Sequence, residues 1–189
     1  MKIIEARGGN LAVEIEDLSS GGRDDRPTTP APREWYMTEE DLVVYRRRLP
    51  HWRLTGSVYF VTWRLAATVA NLTSDERGVI MSALKHFNGD RYELYAGVVM
   101  HDHVHVLVRP LGKHPLQELL HSWKSFTAHK LQQDYGRKTP IWQDEYLDRV
   151  VRDEQEFLDK IQYILNNPPE TWPELEDYPW VWVKEDLEP

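Results

Sequence analysis

The sequence predicts an α+β domain built on an antiparallel sheet, and three observations lead there. Short runs dense in β-branched and aromatic residues read as strands. Between them lie amphipathic stretches that open on good caps and close on asparagine or glycine. The two kinds follow one another as β-α-β-β-α-β, with one further helix behind. That order gives the ferredoxin-like arrangement, an antiparallel sheet with its helices on one face. At 189 residues the chain is long enough for one well-buried domain with modest extensions.

The first core strand is Ser57 to Leu65, SVYFVTWRL, crowded with β-branched and aromatic side chains. Thr73 then caps a helix with Asp75 and Glu76 in its first turn, which should run to about Phe87 and end at Asn88-Gly89. Tyr92 to Met100 and His103 to Val108 read as the second and third strands, with Asp102 near the turn between them. Pro115 opens a second helix whose apolar stripe is Leu116, Leu119, Leu120, Trp123, Thr127 and Leu131, and Gly136 ends it. Ile141 to Val151 reads as a fourth strand. Asp153 caps a last helix from Glu154 to about Asn166, with Phe157, Leu158, Ile161, Ile164 and Leu165 as its stripe. Prolines at 168, 169, 173 and 179 predict an extended, irregular tail.

Outside this core, residues 1–17 read as a hairpin about Gly8-Gly9-Asn10. Residues 18–44 read as a linker, 45–170 as the functional domain and 171–189 as an acidic, tryptophan-containing tail. The net charge of −8 splits unevenly. Residues 1–33 hold 5 basic and 6 acidic groups, 34–167 hold 17 and 18, and 168–189 hold 1 and 7. The acidity therefore sits mostly in the tail, and a near-neutral core still permits a local basic surface for phosphate. The absence of cysteine excludes disulfides, thiolate metal sites and cysteine nucleophiles. No apolar run suits a bilayer and residues 1–10 lack the regions of a secretory signal, so a cytoplasmic protein with no membrane partner is expected.

His103-Val104-His105 is the sharpest local feature. Residues two apart on a strand share a face, so both imidazoles can meet one divalent ion while Val104 points the other way. Packing or surface histidines would give the same spacing. His101 extends the alternation if the strand continues that far. On the last helix, Tyr163 and Asn167 stack one turn apart on the side roughly opposite the apolar stripe. That pattern suits either a surface tyrosine or a phenol presented to a site with an oxygen ligand beside it.

Four segments in order carry a resemblance: Tyr59 to Trp63 (YFVTW), Met100 to Val108 (MHDHVHVLV), Trp142-Gln143, and Tyr163 to Pro168 (YILNNP). Together they resemble the REP-associated tyrosine transposases of the HUH single-strand transposase superfamily, over roughly residues 45 to 170. The resemblance implies that His103 and His105 are metal ligands, that Tyr163 is the nucleophile and that Asn167 stands at the third ligand position. Relatives often carry glutamine there, and often proline where this chain has His101. It implies a Mg²⁺ or Mn²⁺ cofactor, a 5′-phosphotyrosine intermediate, hairpin or single-stranded DNA as partner, and a monomer or homodimer. It also implies a DNA contact for Lys124. From the residues themselves, Arg46, Arg47 and Arg48 form a candidate phosphate clamp or a merely solvated run. Trp52, Trp63, Trp123 and Trp142 can stack bases, although most should be core. Acidic residues 170, 174, 176 and 177 are candidates to occupy the DNA groove and restrain activity. Two other readings stay open: a DNA-binding module of the same descent that does not cut, and a hydrolase using a metal on His101, His103 and His105 without a covalent step.

Overall fold

The structure, a computed structural model, describes the backbone of residues 2–5, 11–14, 42–46 and 50–54 and the whole of residues 56–185. Two antiparallel pairs come first, β1 (Lys2–Glu5) with β2 (Leu11–Glu14) and β3 (Leu42–Arg46) with β4 (Pro50–Leu54). β3 begins inside the stretch expected to be linker; residues 18–41 lie outside the described residues.

The core follows as β5 (Tyr59–Leu65), α1 (Ser74–Lys85), β6 (Tyr92–Val99), β7 (His103–Pro110), α2 (Leu116–Tyr135), β8 (Trp142–Val150), α3 (Glu154–Thr171) and β9 (Val181–Val183). These strands form one sheet in the order β8-β5-β7-β6-β9, with every neighbouring pair antiparallel. The crossover through α1 carries the chain one strand beyond β5 and leaves a slot that β7 fills. β7 thus lies between two strands, and its histidines come to the middle of the sheet.

Local chemistry explains the helix ends. Thr73 and Glu76 make a reciprocal capping box on α1, which satisfies two amide N–H groups that a helix start leaves open. Gly136 ends α2 in the left-handed conformation at φ 67°, and its N–H returns to the Gln132 carbonyl. The expected stripe of α2 is buried at Leu116, Leu119, Leu120, Trp123, Thr127 and Leu131.

Alternation along β5 divides the core into two layers. Tyr59, Val61, Trp63 and Leu65 pack with Ile80, Leu84, Leu120 and Trp123 of α1 and α2. Phe60 lies with Leu107, Phe157, Ile161 and Ile164 on the opposite face, under α3. The expectation of helices on one face therefore holds for α1 and α2 and is corrected by α3. A register shift in β6 between Leu94 and Ala96 lets Leu94 serve the first layer and Tyr95, Ala96 and Val98 the second. Each fully buried aliphatic side chain, such as Ile80, Leu84 or Ile161, contributes about 1.5–3 kcal/mol.

One expectation is met in this region, that most of the tryptophans are core, and one fails. Trp63, Trp123 and Trp142 are 2%, 4% and 5% exposed in the α1/α2 layer, so they pack and do not stack bases. Two of the three ring N–H groups are satisfied there: Trp123 Nε1 donates to Tyr92 Oη at 3.1 Å and Trp142 Nε1 to Thr127 Oγ1 at 2.9 Å. The side chain of Trp52 lies outside the described residues.

The failure is the tail. α3 runs through Pro168 and Pro169 to Thr171, beyond the expected end near Asn166. Neither proline has an N–H to give the carbonyl four residues back. The helix closes nonetheless, because Trp172 N–H reaches the Pro168 carbonyl at 2.8 Å and the Thr171 hydroxyl reaches that of Asn167 at 3.0 Å. The chain then returns to the sheet as β9, pairing Val181 with Val98 and Val183 with Ala96. Tyr178 is buried, donating its hydroxyl proton to the Val99 carbonyl at 2.8 Å and accepting from Arg77 at 2.9 Å. Glu170, Glu174, Glu176 and Asp177 are exposed on the way, so this segment serves first as sheet edge and cap.

Candidate functional site

β6 and β7 are joined by a tight turn in which Met100 N–H bonds to the His103 carbonyl at 2.8 Å, with His101 and Asp102 at its tip. Strand geometry therefore begins at His103. His101 is in the turn and does not extend the alternating row. Its ring instead lies edge-on to Trp172, with centroids 5.2 Å apart.

Val104 and Val106 bury in the α1/α2 layer. His103 and His105 accordingly face α3, with ring centroids 4.6 Å apart. β5 runs beside them and sets Arg64 opposite His103 and Thr62 opposite His105. Each ring is held at Nδ1 by a different partner. Asp102 Oδ1 is 2.5 Å from Nδ1 of His103, and Thr62 Oγ1 is 2.6 Å from Nδ1 of His105. Asp102 is itself steadied through Oδ2 by Arg64 Nη1 at 3.1 Å. If each Nδ1 carries the proton, both Nε2 atoms keep a lone pair free for a ligand. The buried His105 Nε2 has no hydrogen-bond partner among the described residues, which fits a ligand position.

Burial sets the electrostatics. His105 has its pKa lowered to about 3, first by burial and then by His103 and Arg64. His103 is also lowered by burial, against the opposing pull of Asp102. Burial would raise Asp102, but the hydrogen bond from His103 and the charges around it hold its carboxyl below the usual range. Both imidazoles are thus neutral near pH 7, the form that binds a metal.

Tyr163 reaches this group from α3. Its ring meets His105 edge-on at 5.2 Å and Phe60 at 5.7 Å, while Phe60 stacks on His105 at 5.4 Å and 17°. The ring is 43% exposed, so the phenol is open to a large substrate. It occupies the flank of the helix, where a long side chain still bends onto the sheet. Asn167, one turn on, is buried at 8% exposure, in contrast with the outward position expected from its distance to the stripe. Among the described residues no three His, Asp or Glu side chains converge as a metal set.

The remaining candidates lie apart from this group. Lys124 is on α2, across the sheet, and its ammonium donates to the Gln143 and Asp144 carbonyls at 2.6 and 2.9 Å. It ties α2 to the start of β8. Arg46 is the last residue of β3 with its side chain outside the described set, as are Arg47 and Arg48 entirely. Sequence reasoning passed over Thr62, Phe60 and Lys160. Strand pairing alone reveals the first two. Lys160 carried a signal, since it precedes Tyr163 by one helical step of three.

Comparison with known proteins gives the family. The sequence model of the family described as Transposase IS200 like matches residues 61–167. That span contains both histidines, the tyrosine and the asparagine, and covers more than half of the chain. The chain belongs to the IS200-like transposase family. A solved REP-associated tyrosine transposase bound to a REP hairpin shares the fold at a TM-score of 0.58, with 24% identity over 77% of this chain and 82% of that one. A Deinococcus radiodurans protein assigned as a transposase overlaps more loosely, at a TM-score of 0.43 and 24% identity over 58% of this chain and 88% of its own. No curated protein matches the sequence.

Proposed function

We propose that this chain is a metal-dependent single-strand DNA endonuclease and strand transferase, in which Tyr163 attacks a phosphate of hairpin DNA. One observation carries the reading: a half-exposed phenol from α3 packs 5.2 Å from a buried imidazole of β7 whose Nε2 is left without a partner. His103, His105 and Asn167 are the residues that would hold a divalent ion. Bound there, Mg²⁺ or Mn²⁺ would supply positive charge to the oxygens of the scissile phosphate.

The chain's own groups perform the rest. Thr62 and Asp102 orient the two imidazoles. Phe60 and His105 seat the Tyr163 ring so that its oxygen approaches from one direction. Attack forms the Tyr163 Oη–P bond and breaks the P–O3′ bond, and the phenolic proton is balanced by the one gained on the released 3′-hydroxyl. The product is a 5′-phosphotyrosine, which retains the bond energy and allows the strand to be rejoined. The fold match to a transposase holding a REP hairpin supports hairpin DNA as the partner. Arg46, Arg47 and Arg48 are assigned to its phosphates. Lys124 is assigned there too, on the resemblance alone, although its ammonium already holds β8.

The test is a covalent adduct with hairpin DNA from beside the gene, in Mn²⁺ or Mg²⁺, on a denaturing gel. Tyr163→Phe and His103→Ala should both reduce it to background while leaving the fold intact. Cleavage that survives Tyr163→Phe without an adduct would favour the hydrolase. Binding with neither would leave a recognition module.

A further inference from the structure

α3 carries one more polar group toward the site. Lys160, Tyr163 and Asn167 are spaced by three and then four residues, which places them along one side of the helix. The Lys160 Nζ is 5.0 Å from the centroid of the Phe60 ring and 6.0 Å from that of Tyr163, within the range of a cation over an aromatic face. Phe60 in turn stacks on His105. The ammonium therefore lies on the aromatic ledge that seats the phenol, next to the buried imidazole.

Among the described residues, three carboxylates of α3 and the β6–β7 turn are paired with other groups. Glu156, one turn earlier, is committed to Arg149 at 2.7 Å and Arg152 at 3.0 Å. Asp159 accepts from the Gln155 amide at 2.9 Å. Asp102 is engaged by His103 and Arg64. Among the described residues no ion pair includes Lys160. A partly buried lysine beside a tyrosine, with Glu156, Asp159 and Asp102 each engaged elsewhere, is a place for an anion that arrives with the substrate.

We propose that Lys160 binds a non-bridging oxygen of the phosphate that Tyr163 attacks, and stabilises the charge that builds there as the Tyr163 Oη–P bond forms and the P–O3′ bond breaks. Lys160 keeps its proton throughout. Its contribution is charge, which is greatest where negative charge is most concentrated in the transition state. This rests on the transposase reading above.

The experiment compares two hairpins, one ordinary and one with a charge-neutral methylphosphonate at the scissile position. Single-turnover adduct formation is followed for the wild type, Lys160→Met and Lys160→Arg. On the ordinary hairpin Lys160→Met should slow adduct formation by about 10²-fold, the usual loss for one such group. Hairpin affinity should change little, and Lys160→Arg should recover part of the rate. On the methylphosphonate the penalty for Lys160→Met should largely vanish, because the charge it meets is gone. An equal penalty on both hairpins, or none on either, overturns the role. A wild type that forms no adduct on the ordinary hairpin overturns the transposase reading itself, and with it this one. A wild type that forms the adduct beside an equally fast Lys160→Met overturns only Lys160. The thermal midpoint of Lys160→Met should match that of the wild type, so that a slow rate is not a folding defect.

Discussion

His105 shows how a single residue couples the site to stability. Its pKa falls from an ordinary 6.5 to about 3 because burial penalises the imidazolium. Protonation therefore favours the unfolded chain. The stability tied to neutral His105 is complete above pH 6.5 and declines as the pH falls toward 3. At about 1.4 kcal/mol per unit, going from pH 6.5 to 5 removes about 2 kcal/mol. Urea unfolding of the metal-free protein at pH 7 and 5 should show this loss, and His105→Gln should show a smaller one. An equal loss in both would place the acid sensitivity elsewhere.

Asp102 belongs to the same scale. Its bond to His103 fixes which ring nitrogen is free, and removal of such an outer partner typically costs 10- to 100-fold in metal affinity, so about that loss is expected. A Mn²⁺ titration of Asp102→Ala against wild type measures it directly. Unchanged affinity would mean that His103 needs no orienting partner.

Among the elements, α1 is tied to one distant arginine. Glu76 is 1% exposed, serves the capping box of α1, and pairs with Arg137 from beyond α2. Burial alone would raise its pKa, but Arg137 and the Thr73 N–H reverse that and hold it below the carboxylate norm. Arg137 also donates to the Ala70 and Asn71 carbonyls, tying the segment before α1 to the one after α2. Arg137→Met should cost about 3–5 kcal/mol in denaturant unfolding, because it leaves a buried carboxylate unpaired. Adding Glu76→Gln should recover part of that loss. A cost below 1 kcal/mol would show that water reaches Glu76 once the arginine is gone.

For the whole molecule, the tail is part of the structure. β9 covers the open edge of β6, and Tyr178 cross-links Val99 to Arg77. Deleting residues 173–189 should lower the thermal midpoint by about 10 °C, from about 3–5 kcal/mol of lost aromatic burial and hydrogen bonding. Changes in DNA affinity on such a truncation would then be mixed with partial unfolding. Replacing Glu174, Glu176 and Asp177 by their amides, which are exposed side chains, separates charge from fold.

The sequence by itself determined the local elements. The β-branched runs, the Thr73 and Asp153 caps, the six buried positions of α2 and the left-handed Gly136 all follow from interactions among near neighbours. It also supplied the pair His103 and His105 and the step from Tyr163 to Asn167, because helix and strand periods are local. Only tertiary structure decided which groups meet. α3 crosses to the face opposite α1 and α2, strand pairing puts Thr62 at His105, and the ledge of Phe60 brings Tyr163 and Lys160 beside that imidazole. The strand beyond Pro179 was misjudged for the same reason. An aromatic or a proline carries no local mark of the surface it will be buried against. That outcome is set by the free energy of packing distant segments together.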